Sequence, residues 1–411
     1  MKKSTPKESK HTLGVLLLVL LFRLSREYFF TAPLPLSKGD QVVIRSCLET
    51  QPELKGSKQN FTLSGIRIIA SGKKGYSFGD CLEIKGKIEN YQWKNREFFY
   101  LEEPEIKKWP PDLSKAGLIS LKKLGFWLQT EARGVYERFL PEPISSLLSG
   151  IVLGAKSKLS TDFYQKLQNT GTLHIIVASG YNLTVISQIP VDFLAWFVGR
   201  KMALGFGGVL IWLYVLVAGS QPPVIRAAII ISFIYLAQFL GRKFNVWRAF
   251  AVVIWLMLVV NPQLLTSISF QLSVSAMAGL LIFEEKFGRL RKIPFVGKSL
   301  AESLSAQIMI LPIIGYHFGQ VSWASPLINM LILPLVPYLM VFGLAALLGL
   351  VFSWLALPFL YLVYPLGWLL VKLIDFFGEF SFLQFSFSFP WWLVVVYYFS
   401  LLWFFRWRKR D

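Results

Sequence analysis

The segment that decides the fold reads NTGTLHIIVASGYN, from Asn169 to Asn182. It joins small polar residues and glycines to one histidine, His174, and apolar runs follow it almost to the last residue. Those runs are long enough to cross a hydrocarbon core of about 30 Å. The segment therefore stands at the mouth of a membrane domain, and we predict a polytopic α-helical membrane protein.

Composition supports this class and limits the chemistry. The chain has 411 residues, of which 54% are hydrophobic, and 43 basic side chains against 24 acidic ones give a net charge of +19. Such a surplus suits contact with anionic lipid head groups or with nucleic acid, and charge alone does not separate the two. Two cysteines and three histidines are too few for an extended metal cluster. We expect no metal and no cofactor.

The predicted spans after this segment cover residues 183–199, 203–219, 224–240, 246–260, 264–283, 300–314, 323–354, 355–374 and 390–405. Together with an uncleaved N-terminal anchor at 12–22 they make about ten spans. The run at 323–354 is too long for an untilted span and contains Pro326, Pro334 and Pro337. We therefore predict that this span is broken or tilted.

Basic residues in the short loops predict the orientation. They cluster at Arg200-Lys201, at Arg242-Lys243, in the 286–298 loop and in the 406–410 tail, and four lysines precede the anchor. By the positive-inside rule these segments are cytoplasmic, so both termini lie inside a cell membrane. The segment at 38–108 and the His174 segment then lie outside.

Residues 38–108 have the composition of a small β domain. Candidate strands at 41–48, 61–69, 81–87 and 98–106 fit a small OB-like barrel outside the membrane. We thus divide the chain into a tail and anchor (1–37), a β domain (38–108), an amphipathic interfacial helix and linker (109–145) and a multi-span domain (146–411). Within the linker, the helix at 113–140 is predicted to lie flat on the outer membrane surface.

OB folds commonly bind single strands through basic grooves and aromatic platforms. The basic candidates in this domain are Lys73, Lys74, Lys85 and Lys87. An equally good interpretation is a solvated surface on a spacer domain.

Cys47 and Cys81 fall on the first and third predicted strands. If these flank the second strand, the two Cα atoms lie near twice the ~4.8 Å strand spacing, beyond the ~7 Å reach of a disulfide. A curled barrel or extracytoplasmic oxidation could still pair them. The sequence leaves both alternatives open.

The His174 segment by itself permits two interpretations. Ser179 could be a nucleophile with His174 as its base, but no Gly-x-Ser-x-Gly elbow frames the serine and no acid is placed to orient the histidine. Alternatively, the segment is a kinked helix end whose small residues allow close packing.

A resemblance changes this balance. The order and spacing of nine residues resemble the signature of the ComEC family of DNA-uptake channels: Leu148, Gly150, Gly154, Phe163, Thr170, Gly171, His174, Ser179 and Gly180. The likeness continues downstream through 223–227, 261–262, 269–273 and 311–312. One departure is Asn182, where many relatives have a histidine. Many relatives also carry a C-terminal metallo-β-lactamase-like domain, and we expect this chain to be the form that lacks it and to have no nuclease activity.

The resemblance implies a channel subunit that conducts single-stranded DNA into the cytoplasm during natural transformation. The residues that it assigns to the DNA pathway are Thr170, Gly171, His174, Ser179, Gly180, Asn182, Arg226 and Gln271. Arg226 is the sharpest candidate, since it lies at the outer end of a span where a cation could meet phosphates, although snorkelling to head groups is the alternative. Rival classes are a membrane-embedded enzyme using His174 and Ser179, and a small-solute transporter.

The free-energy cost of moving DNA inward implies that partner proteins take part. Moving each phosphate inward against the membrane potential costs about 2.3 kcal/mol per 100 mV, and the sequence shows no ATP site. We therefore expect a cytoplasmic motor ATPase or single-strand-binding protein, together with an extracytoplasmic DNA receptor. A homo-oligomer is compatible with the sequence.

Overall fold

The computed structural model describes residues 39–48, 52–55, 58–63, 66–71, 75–93, 96–110, 113–155, 159–176, 180–242, 245–283, 285–294, 296–380, 384–385, 387 and 389–407. The described residues divide into two compact units, a β unit that ends at Leu128 and a helical unit that begins at Gln129. The predicted anchor and tail at 1–37 lie outside the described residues.

Eight strands build the β unit: β1 (Gln41–Cys47), β2 (Glu53–Lys55), β3 (Lys58–Leu63), β4 (Ile66–Ser71), β5 (Cys81–Lys87), β6 (Glu89–Trp93), β7 (Arg96–Glu102) and β8 (Glu105–Lys108). They form a three-stranded sheet in the order β1-β5-β8 and a five-stranded sheet in the order β2-β3-β4-β7-β6. All pairs are antiparallel except β4 with β7. Ile68, Leu82, Ile84 and Leu101 are fully buried in the core.

We predicted a small OB-like barrel, but the described strands form two separate sheets and no closed barrel. The strand predicted at 81–87 is confirmed as β5, whereas the strands predicted at 61–69 and 98–106 are each two strands. A turn-forming Ser64-Gly65 pair separates β3 from β4 in the sequence. Pro104, which has no N–H to donate to a ladder, separates β7 from β8.

A disulfide joins Cys47 to Cys81. The argument that placed them out of reach assumed an intervening strand, and this was wrong because β1 pairs directly with β5. Cys47 lies opposite Cys81 in this antiparallel pairing. The bond closes a loop with a sequence separation of 34 residues, so it restricts the unfolded chain as well as linking two strands.

Thirteen described helices follow: α1 (Leu113–Phe139), α2 (Ile144–Leu153), α3 (Thr161–Asn169), α4 (Gly180–Val198), α5 (Arg200–Val217), α6 (Pro222–Phe239), α7 (Val246–Val260), α8 (Ile268–Phe283), α9 (Gly297–Phe318), α10 (Ser325–Ile332), α11 (Val336–Ala346), α12 (Leu357–Gly378) and α13 (Trp391–Trp407). Five segments of the described chain are long and apolar enough to cross a membrane, namely Arg200–Val217, Pro222–Phe239, Gly297–Phe318, Ser325–Leu350 and Ser353–Gly378. The sequence predicts about ten spans, whereas the described helices establish five candidate spans.

Two of the predictions about individual helices can be checked directly. The run at 323–354 is broken, as predicted, into α10, a 3-10 turn at Leu333–Leu335 and α11, because proline removes helical N–H donors. The amphipathic helix is present as α1, and one face of its second half packs into the helical unit while Glu137 and Arg138 are exposed. Tyr136 is fully buried there, and its hydroxyl donates a hydrogen bond of 2.8 Å to the carbonyl oxygen of Gly343.

The disulfide generates a prediction for the whole chain. Because the chain has only two cysteines, purified protein should take up no maleimide under denaturing conditions until it is reduced, and then two labels per chain. Reduction should lower the free energy of unfolding of the β unit by roughly 2–4 kcal/mol. Mass spectrometry and denaturant unfolding measure the two effects.

A Cys47→Ser, Cys81→Ser double variant serves as the control and should be insensitive to reductant. Labelling of the unreduced wild-type chain would contradict the cross-link.

Candidate functional site

The Gly171 turn lies between α3 and a 3-10 turn at Leu173–Ile175. Ser160 caps the start of α3 by accepting a 3.2 Å hydrogen bond from the backbone N–H of Phe163. At the end of α3, Thr170 and Thr172 are fully buried, and their hydroxyl oxygens lie 2.7 Å apart. The Thr170 hydroxyl also lies 2.9 Å from the carbonyl oxygen of Lys166. Gly171 between them has φ +69°, a conformation that favours glycine.

Two serines pack against this turn. A Cβ atom on Gly171 would lie only 2.7 Å from both Cβ and Oγ of Ser325 and 3.2 Å from Cβ of Ser322. The Ser325 hydroxyl donates to the Gly171 carbonyl oxygen at 3.4 Å. Glycine is therefore required at position 171 for two reasons, namely the positive backbone angle and the close approach of α10.

The polar contacts continue into the helical unit. The side-chain amide of Asn329 donates to Ser325 Oγ at 3.2 Å and to Ser303 Oγ at 3.1 Å. All three residues are buried, and Asn329 Oδ1 has no hydrogen-bond partner among the described residues. Sequence reasoning did not select these residues. The signal available was the spacing of Ser325 and Asn329, one helical turn apart in an apolar run.

His174 lies on the 3-10 turn, with Nδ1 3.0 Å from the carbonyl oxygen of Gly171. In the neutral ring, Nδ1 donates this bond and Nε2 is left as an acceptor. Loss of hydration beside the surrounding protein lowers the pKa of His174, and the bond to Gly171 partly opposes this shift. The residue itself is exposed to solvent.

The start of α4 is held by two neighbours. The amide nitrogen of Asn182, which is buried, donates a 2.9 Å hydrogen bond to the carbonyl oxygen of Ile151 in α2. A Cβ atom on Gly180 would lie 3.2 Å from Cβ of Ala227 in α6. Ser179, the third candidate near this point, lies outside the described residues.

Arg226 on α6 is a buried cation. The residue is 2% exposed, and its guanidinium carbon lies 5.2 Å from the centre of the Phe270 ring. Neither Nη1 nor Nη2 has a hydrogen-bond partner within the described parts of the chain. Burying a charge that lacks an ionic partner raises the free energy of the folded protein. An anion bound beside Arg226 would lower it.

Gln271 follows Phe270 on α8 and contacts His317 at the end of α9. Its side-chain oxygen lies 2.9 Å from Nε2 of His317, and its amide nitrogen donates to the carbonyl oxygen of Leu265 at 2.7 Å. Both residues line a cavity of about 400 Å³. Phe270 and Gln271 are consecutive residues of α8, so Arg226 and His317 both contact the start of this helix. His317 was not predicted, because an isolated histidine at a helix end carries no recognisable pattern.

The structure describes two of the four basic candidates in the β unit, Lys85 and Lys87. Lys73 and Lys74 lie outside the described residues. Lys85 Nζ lies 3.2 Å from a carboxylate oxygen of Glu83, whose other oxygen accepts a 2.8 Å bond from Arg45 Nε. Arg45 and Lys85 together hold the pKa of Glu83 below its usual range. Lys85 is therefore already paired, whereas Lys87 is exposed.

Comparison with known proteins gives one family and several relatives. A family model described as "Competence protein" matches residues 151–411. ComE operon protein 3 of Bacillus subtilis is 28% identical over 198 residues, which are 47% of this chain and 25% of that protein. Recombination protein 2 of Haemophilus influenzae is 26% identical over 148 residues, which are 34% of this chain and 19% of that protein.

An uncharacterized protein of Aquifex aeolicus is 28% identical over 332 residues, which are 80% of this chain and 72% of that protein. The chain matches about a quarter or less of the length of the two named relatives. No solved structure matches.

The Gly171 turn can be tested by stability. Gly171→Ala should lower the free energy of unfolding by about 1–3 kcal/mol, because the added methyl group crowds Ser325 and the backbone angle disfavours alanine. Gly205→Ala in α5 is the matched control, since nothing lies within 4 Å of its added Cβ. The control should be neutral or stabilising by up to about 1 kcal/mol. Thermal unfolding in detergent measures both, and equal effects would remove the close approach as the reason for the glycine.

Proposed function

The chain belongs to the Competence protein family, and from this we propose that it is a membrane channel subunit that conducts single-stranded DNA into the cytoplasm during natural transformation. The proposed role is conduction, not catalysis. The observation that carries it is the buried Arg226 guanidinium, which has no hydrogen-bond partner for Nη1 or Nη2 among the described residues.

An unpaired buried arginine needs a compensating partner. The Phe270 ring offers a cation–π contact at 5.2 Å, which is weaker than a hydrogen-bonded ion pair. The two non-bridging oxygens of a phosphodiester would accept hydrogen bonds from both terminal nitrogens, in the bidentate geometry that guanidinium favours. A passing strand supplies such anions at every nucleotide, so the cost of burying the charge is offset whenever the channel is occupied.

The neighbouring polar residues are consistent with an entrance at one end of the helical unit. Arg226 lies near the start of α6, Gln271 near the start of α8 and His317 at the end of α9. Arg226 stacks on Phe270, and Gln271 contacts His317, so three helix ends converge. The basic loops predict that this end faces outward, with both termini in the cytoplasm and about ten spans in total.

The disulfide supports an external position for the β unit. Disulfides persist in oxidising compartments and are rare in the cytosol, and Cys47 and Cys81 are linked. We propose that this unit contacts single-stranded DNA through its basic residues. Lys87 is the best placed of the described candidates because it is exposed and Lys85 is paired with Glu83.

Inward transport of a polyanion needs an energy source. Each phosphate that crosses against 100 mV costs about 2.3 kcal/mol, so the proposed partners are a cytoplasmic motor ATPase or a single-strand-binding protein. An extracytoplasmic receptor would deliver the DNA, and membrane lipids would surround the helices.

Arg226 is the position to vary. Arg226→Glu and Arg226→Met should each reduce DNA uptake at least about tenfold, since a charge-assisted contact of about 1.5–3 kcal/mol is lost. Arg226→Lys should retain more uptake because it keeps the charge. Uptake of radiolabelled DNA at matched protein levels is the measurement, and Arg248→Met, at an exposed arginine of α7, is the control.

The Met variant separates function from structure. Replacing a buried charge by an apolar side chain of similar volume is often neutral or stabilising by about 1–4 kcal/mol. We therefore expect Arg226→Met to keep or raise the thermal stability while uptake falls. A parallel loss of stability and uptake would make Arg226 a structural residue, and unchanged uptake in Arg226→Glu would refute the phosphate contact.

The His174 segment distinguishes conduction from catalysis. Under the channel proposal, Ser179→Ala retains substantial uptake, whereas Gly180→Leu blocks it by pushing α4 away from Ala227 in α6. A nucleophilic serine predicts the opposite order, because losing a nucleophile typically costs orders of magnitude in rate. The same uptake assay decides between them. Abolished uptake in Ser179→Ala, with Arg226→Glu active, would favour a membrane-embedded enzyme.

A further inference from the structure

The three-stranded sheet of the β unit has an apolar face and a charged face. Side chains alternate between the two faces along each strand, and the register of β1, β5 and β8 aligns them in rows across the sheet. Ile44, Ile84 and Ile106 form one such row and belong to the core of the unit. The rows on either side of it therefore point outward.

The outward face carries more basic than acidic side chains. Its charged residues are Arg45, Glu83, Lys85, Lys87, Glu105 and Lys107. Glu83 is bonded to Arg45 at 2.8 Å and to Lys85 at 3.2 Å, so its charge is matched within the sheet. Lys87 and Lys107 are exposed and form no ion pair with the residues that the structure describes. These two lysines are the cations that this face offers to an anionic ligand.

An exposed tryptophan stands at one end of this face. Trp109 follows β8, and its backbone N–H donates a 2.8 Å hydrogen bond to the carbonyl oxygen of Cys81, which extends the ladder with β5. Its side chain shares a face with that of Lys107, two residues earlier. The guanidinium carbon of Arg45 lies 4.2 Å from the centre of the indole ring, and the residue is 40% exposed. The ring thus keeps a large aromatic surface in solvent.

The neighbours of Trp109 hold it in place. Glu83 fixes the Arg45 side chain that covers part of the indole ring. Cys81, which accepts the hydrogen bond from the Trp109 backbone, is joined to Cys47 by the disulfide. A side chain that is ordered before binding loses less conformational entropy when a ligand stacks on it. This end of the sheet is therefore preorganised for an aromatic ligand.

We propose that the outward face of the β1-β5-β8 sheet is the surface on which the β unit binds single-stranded DNA, with Trp109 stacking on a base and Lys107 and Lys87 contacting phosphates. The proposal rests on the proposed function and adds the binding face and its aromatic residue. Every base can stack on an indole ring, and lysine contacts to phosphate carry no sequence information. The face therefore suits a strand of any sequence.

The spacing of the outward residues indicates the path of the strand. Lys107 and Trp109 lie roughly 7 Å apart along the chain, since alternate residues of a strand are two rises apart. This is similar to the repeat of an extended single strand, so a base on Trp109 brings a neighbouring phosphate to Lys107. The next outward residue of β8 is Glu105, which repels phosphate, whereas β5 presents Lys85 and Lys87. The path therefore crosses from β8 to β5.

A lipid surface is the alternative occupant of a basic face with a tryptophan. Elements that bind to a bilayer surface insert several apolar side chains among their basic ones. The exposed large apolar residues that the structure describes on this face are Val43 and Trp109, and the guanidinium of Arg45 lies over the ring of Trp109. This arrangement favours stacking over insertion into lipid.

Binding of a fluorescent oligothymidylate to the full chain in phosphatidylcholine nanodiscs tests the aromatic residue. Trp109→Ala should weaken binding about fivefold or more, because the stacking of one base is lost. Trp109→Phe should retain most of the affinity, since it keeps an aromatic ring. Trp127→Ala is the matched control at an exposed tryptophan of α1, and it should bind as the wild type does. Fluorescence anisotropy measures all four proteins.

The salt dependence of the same binding tests the lysines. Lys107→Ala and Lys87→Ala should each make the slope of the logarithm of affinity against the logarithm of salt concentration shallower by about 0.7, the value for one phosphate contact on a single strand. Lys58→Ala is the control, since Lys58 is bonded to Glu102 at 2.7 Å in the other sheet. Trp109→Ala should lower the affinity without changing the slope, because stacking releases no counterion.

Three results would overturn this binding face. Wild-type affinity in Trp109→Ala with an unchanged slope in Lys107→Ala would place the DNA elsewhere on the chain, and no binding by the wild type at low salt would remove the site. A fluorophore attached to Lys107→Cys should respond to the oligonucleotide, whereas a blue shift in phosphatidylglycerol nanodiscs without DNA would make the face a lipid-binding surface. None of these alters the dependence of uptake on Arg226, so failure of the face and failure of the proposed channel remain distinguishable.

Discussion

Inside a bilayer there is no water to pair with polar groups, so each one must be satisfied by the protein or lie beside an aqueous space. This constraint governs how the helical unit is assembled. The Tyr136 hydroxyl is matched by the Gly343 carbonyl, the Asn182 amide by the Ile151 carbonyl, and the Thr170 hydroxyl by Thr172. Each bond joins two elements, and each removes a polar group from contact with hydrocarbon.

The same constraint distinguishes polar residues whose hydrogen-bond partners are described from those that lack one among the described residues. Asn182 and Thr170 are buried and hydrogen-bonded, which is sufficient reason for a polar residue to be present. Arg226 is buried with two nitrogens that have no hydrogen-bond partner in the described chain. Hydrogen bonding within the described residues does not explain this arginine. Unsatisfied or misplaced polar groups are therefore a better guide to the path of a polar substrate than the mere presence of polarity in an apolar run.

Local features of the fold could be predicted from the sequence, and long-range ones could not. Proline chemistry was enough to predict the break before α11. The pairing of Cys47 with Cys81 depends on which strands are neighbours, a choice that alternation along one strand does not encode. The closed barrel failed for the same reason, since the strands group into two sheets.

The candidate site shows a similar division. Gly171 was selected from a family pattern, and its positive φ and its contact with Ser325 supply the physical reason. Arg226 was selected because a cation in a span is costly, a property of the residue itself. Four polar residues of the site were not predicted, because a single serine, asparagine or histidine is common in many contexts. These residues are Ser303, Ser325, Asn329 and His317. Their significance arises only from partners distant in the sequence.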